Sequence, residues 1–493
     1  MQFNERRLEK LKRLEEKGVN PFPYAFKRTH SSQELQEKYR SLKHEEHTKD
    51  HVSLAGRIML FRSMGKVAFA QIQDNNGRVQ LYFKKENLKE EYNLLKDLDL
   101  GDIIGVKGSI FKTRTGELSI DVEELTVLSK ALLDLPEKFH GLQDKEVRYR
   151  KRYLDLIANP QVKEVFIKRA KILQTIREFL NKKGFLEVET PCIQPLYGGT
   201  NAKPFKTYLN AFSMNVYMRL APELYLKRLI IGGLEKVYEI GKNFRNEGAD
   251  LTHNPEFTMI EWYEAYADYH KMMDTAEELF KSIAKELYGG FHIPRNDRQI
   301  SLTGKWPRKS MTDLIKEYTG LDVFKMSEKE LGKYLEKEKI AFRGEASKGV
   351  FINTIFEKKV TEHLEGPLWV IDYPKEVSPL AKAHRSKKGF VERYECYVGG
   401  MELCDGWSEL SNPLEQLERF ESEQKAMRDG NEEAHPLDED FLEAMAYGMP
   451  TLGGIGIGID RLTMVFCDID SIRDVMFFPF MRSLAKKEND KKA

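Results

Sequence analysis

Residues 241–266 read GKNFRNEGADLTHNPEFTMIEWYEAY, which sets Arg245, Glu247 and His253 among five carboxylates and an aromatic cluster. Paired opposite charge at that density fits a ligand site better than a solvated surface. Arg245 offers a planar, permanently charged fork for a phosphate or carboxylate, and Glu247 an acceptor for an exocyclic amine, so together they suit both ends of a nucleotide. Residues 236–244 are rich in β-formers and residues 256–261 return after a polar loop, so two strands are expected to carry the pair. An isolated FRxE string is more often a hairpin with a surface ion pair. A second segment, residues 452–461 (LGGIGIGIDR), alters that weighting. Glycines 454, 456 and 458 make a poor strand interior unless a ligand or another backbone comes close. Asp460 and Arg461 then open an apolar run, LTMVF, of helical character. A third segment, residues 184–191 (GFLEVETP), follows a helix expected over about 162–183.

The chain that must position these groups has 493 residues, more than one ordinary core, so two or more domains are expected. Its 79 Lys and Arg balance 78 Asp and Glu, for a formal charge of +1. Contact with nucleic acid therefore has to come from local basic patches. Four cysteines, Cys192, Cys396, Cys404 and Cys467, lack CxxC spacing, which argues against a disulfide framework or structural zinc and fits a reducing compartment. The charged start, MQFNERRLEKLKRLEEKG, has no signal-peptide character. No stretch approaches the roughly 18 to 20 apolar residues that span a bilayer, so no membrane partner and a cytoplasmic location are expected.

Residues 2–17 suggest a helix with Leu8, Leu11 and Leu14 on one stripe, closed by Gly18; it is either a solvated cap or a basic contact for RNA. Residues 52–127 switch to five short β runs with a helical insert near 86–95 and a turn at Asn75, Asn76 and Gly77. That pattern matches an OB-fold, a small barrel with an oligonucleotide-binding face. On its first three strands Arg62 supplies charge, Phe69 a stacking platform and Gln80 an amide able to read a base edge. A basic cluster, Arg148, Arg150, Lys151 and Arg152, follows and is either a solvated turn or a contact to an RNA backbone. The expected division is a helical extension (1–50), the OB-fold domain (51–130), a linker (131–152), a catalytic domain (153–483) and a flexible tail (484–493).

Taken in order, GFLEVETP, the segment around FRNE and LGGIGIGIDR resemble the three signature motifs of class II aminoacyl-tRNA synthetases. The N-terminal segment resembles the anticodon-binding domain of the lysine branch of that family. The resemblance implies an α+β protein: an antiparallel-sheet catalytic domain with an N-terminal OB-fold β-barrel, and a homodimer with the first motif at its two-fold interface. It implies ATP-dependent activation of L-lysine to lysyl-adenylate and transfer to the 3′ end of tRNA(Lys). Arg245 then becomes the catalytic cation, with Glu247, His253, Phe257 and Arg461 also holding ATP. Gly199 and Glu223 take the α-amino end of lysine, while Glu261, Tyr263 and Glu409 face its ε-ammonium. Mg2+ falls to Glu402 and Glu409. Phe69, Gln80 and Glu117, with Arg62 beside them, fall to the anticodon. Aspartyl or asparaginyl enzymes of the same subclass, and a lysine-type ligase acting on elongation factor P, share much of this pattern. One departure stands out: Asp405 in DGWSE replaces the family's usual asparagine beside the substrate carboxylate. It either repels that carboxylate or is paired with a cation, and pairing is the expectation.

Overall fold

The computed structural model describes residues 3–136, 142–342, 344–428 and 436–483. The chain divides into two compact units, Met1–Gln143 and Asp144–Ala493. The expected tail 484–493, and residues 137–141 of the expected linker, lie outside the described residues.

In the first unit five strands form a barrel: β1 (His47–Met64), β2 (Val67–Gln73), β3 (Arg78–Lys84), β4 (Ile103–Lys112) and β5 (Leu118–Ser129). Their order is β1-β2-β3-β5-β4, and pairing of β1 with β4 closes it. Period-two alternation decides which side chains fill the interior. Ala68, Ala70 and Ile72 of β2 and Val79, Leu81 and Phe83 of β3 point inward, which leaves Phe69, Gln80 and Tyr82 on the outer face. The Asp74 carboxylate ties the β2–β3 turn by accepting from the backbone N–H groups of Asn76 and Gly77. The expected helical insert breaks at Lys89, whose φ of 47° is left-handed. One α turn (Lys85–Leu88) there gives way to a 3-10 helix (Lys89–Asp97).

The N-terminal helix, Glu5–Glu16, is capped by Asn4. Lys10 pairs with Asp99, Arg13 and Lys17 with Asp97, and Arg7 with Asp134 and the carbonyls of Leu100 and Ala131. These four cations are thus engaged within the unit, which favours the cap over the RNA contact.

The second unit is built on an eight-stranded sheet. Its strands are β6 (Leu186–Glu187), β7 (Lys236–Phe244), β8 (Glu256–Ala265), β9 (Arg308–Ser310), β10 (Leu368–Pro374), β11 (Phe390–Val398), β12 (Met401–Ser408) and β13 (Leu452–Gly458). The order is β9-β10-β11-β12-β13-β8-β7-β6, antiparallel except for the two edge pairs. Behind it pack the helices Val162–Lys182 and Tyr269–Tyr288. Ile172, Ile176 and Leu180 recur every fourth residue on one helical face and meet Tyr238, Ile260 and Trp262 of the sheet. Each such fully buried aliphatic side chain contributes about 2 kcal/mol. Asp268 caps the Tyr269–Tyr288 helix by accepting from the N–H groups of His270 and Lys271, and Gly289 ends it in the left-handed region.

The basic cluster at 148–152 is not a free cationic patch at Arg148 and Arg152. It lies on two short helices, Lys145–Arg150 and Arg152–Ala158. Arg148 and Arg152 share Asp155, and Arg152 is fully buried, donating to the carbonyls of Arg473, Met476 and Phe477.

Candidate active site

On its open face the sheet floors a cavity of about 420 Å³. Strand β13 explains why the cavity exists where it does. Ile455 and Ile457 face the core, so the alternate positions Gly454, Gly456 and Gly458 face the cavity. With no side chain on the middle strand, its neighbours converge over it. Glu261 of β8 and Asp405 of β12 both pair with Gly456, and Tyr263 and Trp407 both pair with Gly454. A Cβ on Gly454 would collide with Glu409 Oε1 and the Tyr263 ring. The close approach expected at these glycines is therefore made by side chains of the site itself.

One end of the cavity is acidic. Glu223 opens the helix Glu223–Ile231, and Lys227 one turn later reaches across to place its Nζ 2.5 Å from both Glu223 Oε1 and Glu409 Oε2. Trp407 Nε1 donates to the same Glu409 oxygen at 2.6 Å, while Glu409 Oε1 is buried with no hydrogen-bond partner. Tyr263 donates to Glu261 Oε2 at 3.0 Å. Burial, reinforced by the charge on Glu223, pushes the Glu261 carboxyl well above the usual range. Burial likewise raises Glu223 and pushes Glu409 up to about 8. Carboxylates held this way want a cation. Gly199, at φ 87°, brings its backbone against Ala221 and Glu223, where a Cβ would sit 3.1 and 3.2 Å from theirs.

The other end is cationic. The Arg245 guanidinium stacks on Phe257 at 5.0 Å, and its Nε is buried without a partner. Burial lowers its pKa. Glu247 accepts from the Lys203 N–H at 3.3 Å. Arg461 bridges His253 Nε2 and Glu402 Oε2, both at 3.0 Å, and His253 Nδ1 lies 2.9 Å from Asp250. Asp460 fixes this wall by accepting from the Thr258 N–H and pairing with Arg169.

The cavity thus brings together Gly199, Glu223, Arg245, Glu247, His253, Phe257, Glu261, Tyr263, Glu402, Glu409 and Arg461. Asp405 is paired with a cation, as expected: Arg393 Nη2 lies 3.5 Å away and also holds Glu395 at 2.8 Å. Glu402 and Glu409, paired as magnesium ligands from the sequence, have different surroundings. Glu409 is engaged by Lys227 and Trp407. Glu402 sits by Glu395, whose carboxyl is pushed up to about 7 by burial, with the charge of Glu402 adding to the rise. Among the described residues no group of three or more His, Cys, Asp or Glu is placed to hold a metal. Two carboxylates suit Mg2+, which draws much of its shell from phosphate and water. Lys227, Arg393 and Glu395 were not singled out from the sequence.

On the separate barrel unit, Arg62 pairs across strands with Phe69, and Phe69 stacks on Tyr82 at 4.8 Å. Gln80 Nε2 donates to Ser119 Oγ at 2.9 Å, and Glu117 is exposed at the turn before β5. Tyr82, two residues from Gln80 on the same face, extends the stacking surface and was recoverable from that alternation.

The family model for class II tRNA synthetases (D, K and N) matches residues 144–482, and that for the OB-fold nucleic acid binding domain matches residues 52–128. The chain belongs to the class II tRNA synthetases. Among relatives of this synthetase is a lysine-tRNA ligase of Staphylococcus epidermidis, 48% identical over 482 residues and 97% of each chain. A lysine-tRNA ligase of Moorella thermoacetica is 48% identical over 485 residues, again 97% of each. Lysine-tRNA ligase 2 of Methanosarcina mazei is 48% identical over 483 residues, 97% of this chain and 94% of that one. The α+β architecture expected of the synthetase, an antiparallel-rich sheet domain with an N-terminal OB-fold, is the one observed.

Proposed function

We infer that this synthetase is a lysine-tRNA ligase, which condenses L-lysine with ATP to lysyl-adenylate and pyrophosphate and transfers the lysyl group to the 3′ end of tRNA(Lys). The observation that carries the reading is the pairing of ends in one cavity: buried, under-compensated carboxylates opposite Arg245, a buried arginine with no ion pair among the described residues. Lysine and ATP have the complementary charges, and relatives at 48% identity over nearly the whole chain are named for that activity. In activation a lysine carboxylate oxygen attacks the α-phosphorus and pyrophosphate leaves. Arg245 is aimed to hold both anions together and to stabilise the charge that gathers on phosphorus. Phe257 stacks on adenine, Glu247 accepts from its amino group, and His253 and Arg461 hold the phosphate tail. Gly199 and Glu223 take the α-ammonium, and Glu261, Tyr263 and Glu409 the ε-ammonium. In transfer a hydroxyl of the terminal ribose attacks the adenylate carbonyl and AMP leaves.

Magnesium, when bound, supplies charge neutralisation on the phosphates. Glu402 and Glu409 are the carboxylate ligands in this reading, both on the cavity wall. Residues 51–130 read the anticodon through Arg62, Phe69, Gln80 and Glu117, and residues 153–483 carry the chemistry. Leu186 on edge strand β6 and the nearby Ile193 are about half exposed, which suits burial against a second copy in a two-fold homodimer. No helix among the described residues is long and apolar enough to cross a membrane. Work on tRNA in translation supports a cytoplasmic location.

An aspartyl or asparaginyl enzyme needs a free cation where this cavity presents Glu261 and Glu409. ATP–pyrophosphate exchange against all twenty amino acids tests the assignment: lysine alone should drive it. Ornithine, one methylene shorter, should lose only about 1 to 3 kcal/mol and remain a weak substrate. Exchange driven by aspartate or asparagine and not by lysine would remove the reading. Phe69→Ala should leave exchange intact and lower tRNA aminoacylation about ten-fold, since stacking one base contributes about 1 to 3 kcal/mol. Equal loss of both activities in a folded Phe69→Ala protein would show that the barrel does more than read tRNA.

A further inference from the structure

Lys227 is a buried cation inside a site that awaits another one. Its ammonium lies 2.5 Å from both Glu223 Oε1 and Glu409 Oε2, flanked by the Tyr263 and Trp407 rings at 5.9 and 6.0 Å. Its side chain is 1% exposed. We infer that Lys227 is a positioning residue for amino-acid selection, a built-in ammonium that holds the two substrate-facing carboxylates apart and in place. The inference rests on the ligase reading above.

The charge balance supports it. Glu223, Glu261 and Glu409 present three carboxylates to the acidic end, and once all three are ionised Lys227 leaves two negative charges unmatched. Lysine brings two ammonium groups. Without Lys227, Glu223 and Glu409 would face each other across a dry gap with nothing between them. One of them would then take a proton or turn away, and neither response leaves a full acceptor for the substrate. Geometry divides the labour further. Lys227 and Trp407 both occupy Glu409 Oε2, which leaves Oε1 as the free, buried oxygen. That same oxygen lies over the bare Gly454 position of the cavity floor. Lys227 thereby decides which oxygen of Glu409 remains for the substrate.

Lys227→Met keeps the apolar stem and removes the charge. Lysine-dependent exchange should show a KM for lysine raised at least about ten-fold, with kcat changed less than about three-fold and the KM for ATP within about two-fold. In Lys227→Ala, propylammonium added to the assay should pull the lysine KM back toward the unaltered value by refilling the cation position. Should Lys227→Met fail to fold, Lys227→Gln carries the same measurement. A folded variant with an unchanged lysine KM overturns the inference. So does a loss shared equally by lysine and ATP that propylammonium does not relieve, which would mark Lys227 as part of the packing only. Absence of lysine-dependent exchange in the unaltered chain would instead sink the ligase reading itself.

Discussion

Arg245→Ala should lower lysine-dependent ATP–pyrophosphate exchange by at least about 1000-fold, roughly 4 kcal/mol of transition-state stabilisation. Arg245 makes no salt bridge among the described residues, and its Nε is buried without a partner. Its pKa is lowered by burial despite the charges of Asp405, Glu247 and Glu261, so the folded chain holds this charge at a disadvantage that an anionic ligand relieves. Removal should therefore leave the melting temperature of the free protein unchanged or slightly raised while the chemistry collapses. Arg245→Lys should not restore activity, because a point charge lacks the planar fork that spans two anions and stacks on Phe257. Exchange retained within ten-fold in Arg245→Ala would move the catalytic cation elsewhere, with Arg461 the first residue to test.

Lysine affinity should depend steeply on pH. Burial pushes Glu409 up to about 8 and raises Glu223 and Glu261 in the free protein. Each must be ionised to accept an ammonium. The sign follows: below pH 8 the Glu409 carboxyl holds a proton that lysine must displace, and above it the site is already charged. The dissociation constant for lysine should rise about ten-fold for each unit below pH 8, approaching about 100-fold at pH 6. Calorimetry in buffers of different ionisation enthalpy should register protons released on binding. A flat profile with a buffer-independent heat would show that the acidic end is ionised before lysine arrives. ATP binding does not use Glu223, Glu261 or Glu409, so it should not follow the same curve.

What could be seen in the sequence was whatever is local. The alternation in LGGIGIG marks strand β13 and its bare face, FRNE and HNPEFTMIEWYEAY mark the strand pair β7–β8, and period-two runs mark the barrel. What could not be seen depends on partners distant in the chain. Lys227 stands one helical turn after Glu223, the spacing of an ordinary solvated ion pair, and only Glu409 arriving on the far side buries it. Glu395 sits in a run of β-formers with no motif around it, and its place opposite Asp405 follows from the β11–β12 register. Arg148 and Arg152 look like an RNA contact because Asp155 and the carbonyls of residues 473–477 that engage them carry no sequence signal. The unbroken helix expected over 86–95 fails at Lys89 for a conformational reason that composition does not encode.

The N-terminal helix, with Arg7, Lys10, Arg13 and Lys17 bound to Asp97, Asp99 and Asp134, has a bearing on how the protein senses its ionic surroundings. A polyanion gains affinity from a cation mainly by shedding condensed counterions, and each contact steepens the salt dependence by close to one unit of slope. A lysine or arginine already neutralised by its own chain has no such release to offer. These four positions are therefore electrically quiet toward RNA, and an adjustment of net charge at them would loosen the barrel's clasp before it altered the grip on a nucleic acid.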